Sequence, residues 1–282
     1  MLTLDKAKGM LVGLAVGDAL GAPLEFHEAR EPDKYITEYH AGGVHTMKKG
    51  EWTDDTAMAL AMAQAFIDNY GEFDAHDIMH NWSSWYNRGE FIPRGVCFDI
   101  GDTTQKAIKK YDAINSVYNG VSLDSQSGNG ALMRLAPVVI VSASPERAME
   151  LAVAQTVMTH GSTKAIEYSR VMAHELWHGD ALQRYSDYRL PLDVKREDVM
   201  SGGYVVETYQ CAMWAFQTTK RFDDCIINAV NRGHDSDTCG AVAGMIAGAH
   251  YGYNKIPKKF IDSLMWHDEL CQAAIKLFEM RR

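Results

Sequence analysis

The sequence predicts an all-α fold, and three observations carry that prediction. Apolar residues recur at spacings of three and four along most of the chain, the period of one helix face. Windows rich in Ala, Met and Leu, all strong helix formers, dominate its length. Two runs of glycine, Gly9, Gly13, Gly17 and Gly21 and then Gly240, Gly244, Gly248 and Gly252, keep a four-residue step that places each run on one helix face.

In chain order the pattern predicts helices over Leu4 to Leu20, Thr56 to Asn69, Asp74 to Tyr86 and Thr103 to Tyr111. It continues over Pro145 to Met158, Lys164 to His178, Tyr204 to Thr218, Phe222 to Val230 and Thr238 to Tyr251, and Lys258 to Met280 adds one or two more. The helical period runs through without a Pro/Gly/Ser linker or a shift in composition, so residues 1–282 are expected to form a single domain. Glycine inside a helix costs close to 1 kcal/mol relative to alanine, so four in register need an offsetting gain. Tight helix packing supplies one. It predicts that helices from the two ends of the chain meet at the centre of the fold.

Of the 282 residues, 46% are hydrophobic and 23% charged, with seven prolines, a composition that excludes disordered and collagen-like chains. Lys and Arg number 28 against 37 Asp and Glu, and the formal charge of −9 repels phosphate backbones, so broad nucleic-acid binding is not expected. A small phosphate held at a helix start stays compatible with that charge. The five cysteines, Cys97, Cys211, Cys225, Cys239 and Cys271, form no CxxC pair, and the N-terminus lacks a signal-peptide pattern, so a cytoplasmic location is expected. The most apolar early stretch, Gly9 to Leu24, is 16 residues long and carries Asp18, so a buried core helix is expected rather than a membrane span.

Two acidic clusters stand directly before predicted helices: Thr53-Asp54-Asp55-Thr56 and Asp235-Ser236-Asp237-Thr238. Helix capping alone would account for Thr, Ser and Asp at such places. Adjacent carboxylates exceed what a cap needs, because they repel unless protonated or bridged by a cation. Oxygen ligands without Cys or an evident His set favour Mg²⁺ or Mn²⁺ over zinc, and four aspartates suffice for two divalent cations that activate water.

These clusters belong to a longer series. Gly13-Leu-Ala-Val-Gly-Asp18-Ala-Leu-Gly-Ala22 with Glu25-Phe26, Trp52-Thr-Asp-Asp-Thr56, Gly128-Asn-Gly-Ala-Leu-Met-Arg134, Thr159-His160 and Asn231-Arg-Gly-His-Asp-Ser-Asp-Thr-Cys-Gly240 together resemble the ADP-ribosylglycohydrolase family, in family order. Asp99-Ile-Gly101-Asp102-Thr103 resembles a segment of its dinitrogenase reductase-activating branch. The resemblance implies a compact orthogonal helical domain with a central metal cleft. It also implies hydrolysis of the N-glycosidic bond between ADP-ribose and arginine on an ADP-ribosylated acceptor protein; a monomer is expected.

Carried over position by position, it implies Thr53, Asp54, Asp55, Asp235, Asp237 and Thr238 as ligands of two Mg²⁺ or Mn²⁺ ions. Asp99, Glu25 and Asp55 are implied as the acidic residues of catalysis, with Asp99 beside the ribose and Glu25 beside the metals. Gly128, Asn129, Gly130, His160, Gly203 and Tyr204 are implied on the ADP-ribose. Taken singly, Asp99 also reads as a cap of the next helix, the glycine pairs as turns, His160 as a helix end and Tyr204 as core packing. The segments around Gly101-Asp102 and Thr159-His160-Gly161-Ser162 depart from the branch pattern, which leaves the acceptor open.

Three other functions are weighed beside this one. His174-Glu175-Leu176-Trp177-His178 matches the zinc-peptidase H-E-x-x-H, but Ala181 and Arg184 stand where the extended motif needs glycine and a third histidine. The plainer reading is an amphipathic helix with its imidazoles and Glu175 toward solvent. A hydrolase of another ADP-ribose linkage (serine, nucleic acid or free metabolite) shares every motif above. A non-catalytic ADP-ribose-binding relative would be expected to have lost metal ligands, and all six stand.

Overall fold

A computed structural model describes residues 2–179 and 194–281 of the chain. Twelve α-helices lie among them: α1 (Leu4–Gly21), α2 (Asp54–Asp68), α3 (Ala75–Arg88), α4 (Asp102–Ile114), α5 (Ala136–Val141), α6 (Pro145–Val157), α7 (Thr163–His178), α8 (Val205–Gln217), α9 (Phe222–Val230), α10 (Ser236–Tyr251), α11 (Lys258–Ile261) and α12 (His267–Glu279). No strand occurs among the described residues; isolated bridges join Gly42 to Met47, Val121 to His160 and Gly128 to Tyr204. Every predicted window is helical. The six-residue α5 escaped the period because so short an apolar run shows neither repeat.

Ordinary local signals set several helix ends. Thr3, Asp74, Ser144 and Ser162 accept backbone N–H bonds as N-caps of α1, α3, α6 and α7. Gly89, Asn115 and Gly179 close α3, α4 and α7 in the left-handed conformation. In α2 and α10 the capping residue types Thr53 and Asp235 occupy the cap positions, yet neither side chain makes a capping bond. Both acidic clusters are thus free of the duty that would have explained them away.

The two glycine runs mesh as an antiparallel pair. A Cβ on Gly13 would overlap the carbonyl of Gly244, one on Gly17 that of Gly240, and one on Gly9 would sit 2.5 Å from the Gly248 oxygen. At the near end Gly21 meets the backbone of Ser236 and Asp237. Only glycine permits this approach of two backbones. Gly252 is not part of the stripe: it follows α10 with φ 85°, where the Asp5 carboxylate packs on it.

Helix α1, extended through Leu24, is long and apolar enough to cross a bilayer, so its length is not what argues against a span. Of its most apolar window 94% is buried inside the fold. It is the core helix around which the others pack, and it ends at the acidic clusters.

Arg134, of the Gly128–Arg134 segment, is fully buried. Its guanidinium donates to Gln155 Oε1 (2.8 Å) and Thr159 Oγ1 (2.7 Å) and lies 3.9 Å from the centre of the Trp82 ring. Burial pushes it down to about 9. Arg134 thereby ties the wall of the cleft to α3 and α6.

Candidate functional site

Helix geometry brings the two acidic clusters together. The α1–α10 pairing sets the end of α1 against the start of α10, and Asp18, one turn before Gly21, reaches α2. Asp18 is fully buried and accepts four bonds: Thr53 N–H (2.9 Å) and Thr56 N–H (3.1 Å), and the Thr53 (3.0 Å) and Thr56 (2.6 Å) hydroxyls. It does for α2 what the absent cap does not. Even so, burial raises its carboxyl to about 7. Its signal in the sequence was a charge in the most apolar helix.

Within the cluster one hydroxyl faces three carboxylates. Thr53 Oγ1 lies 3.0 Å from Asp18 Oδ1, 3.0 Å from Asp55 Oδ2 and 3.3 Å from Asp237 Oδ2. It has a single proton to donate. Asp55 Oδ1 and Asp237 Oδ1 are buried with no hydrogen-bond partner among the described residues. Carboxylate oxygens of Asp18, Asp55 and Asp237 all come within 4.8 Å of one another, as do those of Glu25, Asp235 and Asp237. Burial first, and then mutual repulsion, raises Asp54, Asp55 and Asp237 well above the ordinary carboxylate range and Glu25 to about 10. A buried, all-oxygen, acid-rich set with orphaned oxygens fits hard divalent cations.

Loops assemble the rest. Phe26 and His234, both at positive φ, exchange contacts: Phe26 N–H donates to the His234 carbonyl and His234 N–H to the His27 carbonyl, each at 2.7 Å. That zipper sets Glu25 beside Asp235. Asp235 Oδ2 takes the Asn129 amide at 2.7 Å, and the same amide nitrogen lies 2.8 Å from Thr208 Oγ1. Asn129 therefore orients an acidic residue of the cluster as well as lining the cleft.

Above the cluster opens a cavity of about 360 Å³. Glu25, Asp54, Asp99, Asp235, Asp237 and Thr238 form its acidic floor and side, with Gly128, Asn129, Gly130, His160 and Gly203 opposite. Thr53 and Asp55 lie behind this lining, in the buried layer. Tyr204 does not line the cavity; it is 37% exposed and contributes its backbone, which bridges Gly128 while Asn129 N–H bonds the Gly203 carbonyl at 3.1 Å. The two glycine segments are thus one wall. Gly130 is required there because a Cβ would stand 2.9 Å from the His160 ring.

His160 is buried, with Nδ1 2.8 Å from Thr159 Oγ1, and burial with the nearby Arg134 charge lowers it to about 3. It presents a neutral imidazole to the cavity. Asp99 is not a cap: α4 starts at Asp102 with Gly101 as its cap residue. It lines the cavity from a backbone at φ 61°. His45 and Thr104 lie outside every motif read in the sequence, and Ile100, Thr103 and Met133 stand inside two of them without an assigned role; the last four line the cavity, while His45 hydrogen-bonds Glu25 and is in ion-pair contact with Asp99.

The family model for ADP-ribosylglycohydrolase matches residues 1–282. The chain belongs to the ADP-ribosylglycohydrolase family. The chain is 36% identical to the ADP-ribosylarginine hydrolase Tri1 of Serratia proteamaculans, across 99% of this chain and 80% of that protein. It is 32% identical to the ADP-ribosyl-dinitrogen reductase glycohydrolase of Rhodospirillum rubrum, across 92% and 90%. A solved ADP-ribosylglycohydrolase-related protein complex superposes with a TM-score of 0.84 at 31% identity, covering 99% of both chains.

The H-E-x-x-H segment serves the core instead. Contrary to the amphipathic expectation, Glu175 is buried, and its Oε2 accepts the Tyr209 hydroxyl at 2.8 Å. A glutamate so engaged is not placed as a general base. Ala181 and Arg184 lie outside the described residues.

Proposed function

We propose that this ADP-ribosylglycohydrolase is a metal-dependent ADP-ribosylarginine hydrolase that frees an acceptor protein from mono-ADP-ribosylation. The observation that carries the reading is the single Thr53 hydroxyl set among three buried carboxylates beneath an acid-floored cavity. Thr53, Asp54, Asp55, Asp235, Asp237 and Thr238 would hold two cations, and their oxygen-only donors favour Mg²⁺ or Mn²⁺. Such ions, when bound, neutralise the cluster, hold ribose hydroxyls and make a water more acidic. The completeness of the six-residue set speaks for a working enzyme rather than a binding relative.

The chain's own groups divide the remaining work. A guanidinium is drawn to a cavity floored by carboxylates, and the N–H-bearing wall of Gly128, Gly130 and Gly203 suits the anionic half of ADP-ribose. Neutral His160 adds a hydrogen bond there without a charge. As the bond from ribose to guanidino nitrogen breaks, positive charge builds on the ribose, and the Asp99 carboxylate beside it stabilises that charge. Asp99 takes a proton from the attacking water and returns it to the departing nitrogen, leaving ADP-ribose and a free guanidinium. Glu25, next to Asp235, is protonated in the metal-free cluster and becomes a carboxylate once positive charge is present. The five cysteines, all unpaired thiols, support a reducing cytoplasm as the setting, and we take the monomer as the working unit.

The test is release of ADP-ribose from ADP-ribosyl-arginine by the wild type and Asp237→Ala, with Mg²⁺, Mn²⁺ or a chelator. Metal-dependent release by the wild type alone is the expected result. Release only from serine-linked or nucleic-acid-linked ADP-ribose would replace arginine as the substrate.

A further inference from the structure

His45 carries none of the motifs, yet its ring stands between two acids of the cleft. Its Nε2 lies 3.0 Å from Glu25 Oε2 and 3.1 Å from Asp99 Oδ1. We propose that His45 is a positioning residue of the hydrolysis, resting on the function proposed above: it clamps one oxygen of Asp99 and so aims the other at the reacting ribose.

Asp99 needs such a clamp. Its backbone is in the left-handed region at φ 61°, a conformation a non-glycine residue keeps only when its surroundings hold it. Its Oδ1 is in ion-pair contact with His45 Nε2, whose hydrogen bond goes to Glu25 Oε2, while its Oδ2 is buried with no hydrogen-bond partner among the described residues. The carboxylate thus has one oxygen held against the His45 ring by that contact and one left available. A general base or charge stabiliser acts through the available one, and its direction is set by the tether.

The clamp is itself braced. His45 sits in a turn closed by paired backbone bonds between Gly42 and Met47, at 2.9 and 2.8 Å. Arg94 Nη1 donates to the His45 carbonyl at 2.8 Å, and its other nitrogens fork onto buried Glu51 at 3.0 and 2.7 Å. The same guanidinium lies 4.1 Å from the centre of the Phe98 ring, which neighbours Asp99 in sequence and stands 5.5 Å from the His45 ring. One arginine thus joins the His45 turn, the strand of chain leading to Thr53 and the Asp99 loop. The imidazole is held in place by its backbone and by Phe98, and cannot follow Asp99 if that residue swings.

The expected effect is on turnover rather than on substrate or metal binding. A misplacement of about 1 Å in such a group costs up to about 100-fold in rate. His45→Leu keeps the bulk and loses the donor; His45→Gln keeps an N–H donor near the Nε2 position. With Mn²⁺ and ADP-ribosyl-arginine, His45→Leu should lower kcat by about 10- to 100-fold with KM within about threefold, and His45→Gln should recover most of the loss. Mn²⁺ affinity by calorimetry and the melting temperature should match the wild type in both variants, which separates positioning from folding. Wild-type kcat in His45→Leu, equal losses in both variants, or a loss confined to KM or to Mn²⁺ affinity would each overturn the proposal. An inactive wild type would overturn the function first and this role with it.

Discussion

Asp99 and Asp237 lie in one cavity and are asked to do different things. Asp237 is buried beside Thr53, which cannot supply enough protons to its neighbours, and is proposed as an ion ligand; Asp99 sits at the cavity side, in ion-pair contact with a histidine. Asp99→Asn is therefore expected to retain Mn²⁺ at wild-type stoichiometry while kcat falls by about 10² to 10⁴, the usual worth of a positioned acid–base group. Equilibrium dialysis against Mn²⁺ beside a steady-state assay reads both. His160 yields a pH prediction. Its folded value of about 3 is below the ordinary 6.5, so the unfolded chain binds the extra proton between those values. Stability from this residue is complete above about pH 6.5 and is lost as pH falls toward 3. The melting temperature of His160→Asn should accordingly decline less than that of the wild type between pH 6.5 and 4.

Between elements, the α1–α10 pair decides both stability and site. A Cβ on Gly17 overlaps the Gly240 carbonyl, and backbone atoms have no rotamer with which to give way. Gly17→Ala should cost about 3 kcal/mol or more in urea unfolding, at the upper end for overpacking, despite alanine's better helix propensity. Because Asp18 and Asp237 ride on the two helices, the same variant should bind Mn²⁺ more weakly, measured by titration under native conditions. A substitution that merely loosened a distant helix would leave the affinity unchanged. Helices α2 and α10 make the complementary point: the cap residue Thr53 reaches Asp237 in the first turn of α10, and the cap residue Asp235 takes the Asn129 amide, instead of their own N–H groups.

For the whole molecule, the acidic centre is a liability without its counter-ions. Burial raises Asp18 to about 7 and pushes Asp54, Asp55 and Asp237 well up as well. Groups whose folded values exceed their unfolded ones contribute stability that is full below about pH 4 and lost as pH rises through about 7. The chelated protein should thus melt at a lower temperature at pH 8 than at pH 5. Saturating Mg²⁺ or Mn²⁺, which adds about 2.7 kcal/mol per site at a hundred times Kd, should raise the melting temperature more at pH 8 than at pH 5 for the same free ion concentration, as read by thermal shift across the two pH values.

What was readable from the residues alone follows from locality. The helical period survives because each core-facing stripe is written within one element, and Thr53-Asp54-Asp55 and Asp235-Ser236-Asp237 announce themselves because neighbouring carboxylates at a helix start need a partner. The glycine steps told that two helices approach closely, since nothing else offsets their cost. Tertiary structure alone decided the rest. Glu25 meets Asp235 through a two-bond zipper across 210 positions, Tyr204 gives its backbone instead of its ring to the cleft, and Glu175 turns inward to Tyr209. His45 reaches Asp99 across 54 positions, with no spacing rule to connect them. The sequence by itself determined the helices and the two acidic clusters, because short-range geometry and charge repulsion act within a few residues. Which oxygen of Asp99 is tethered, and which is left available, only the packing of loops drawn from distant parts of the chain decided.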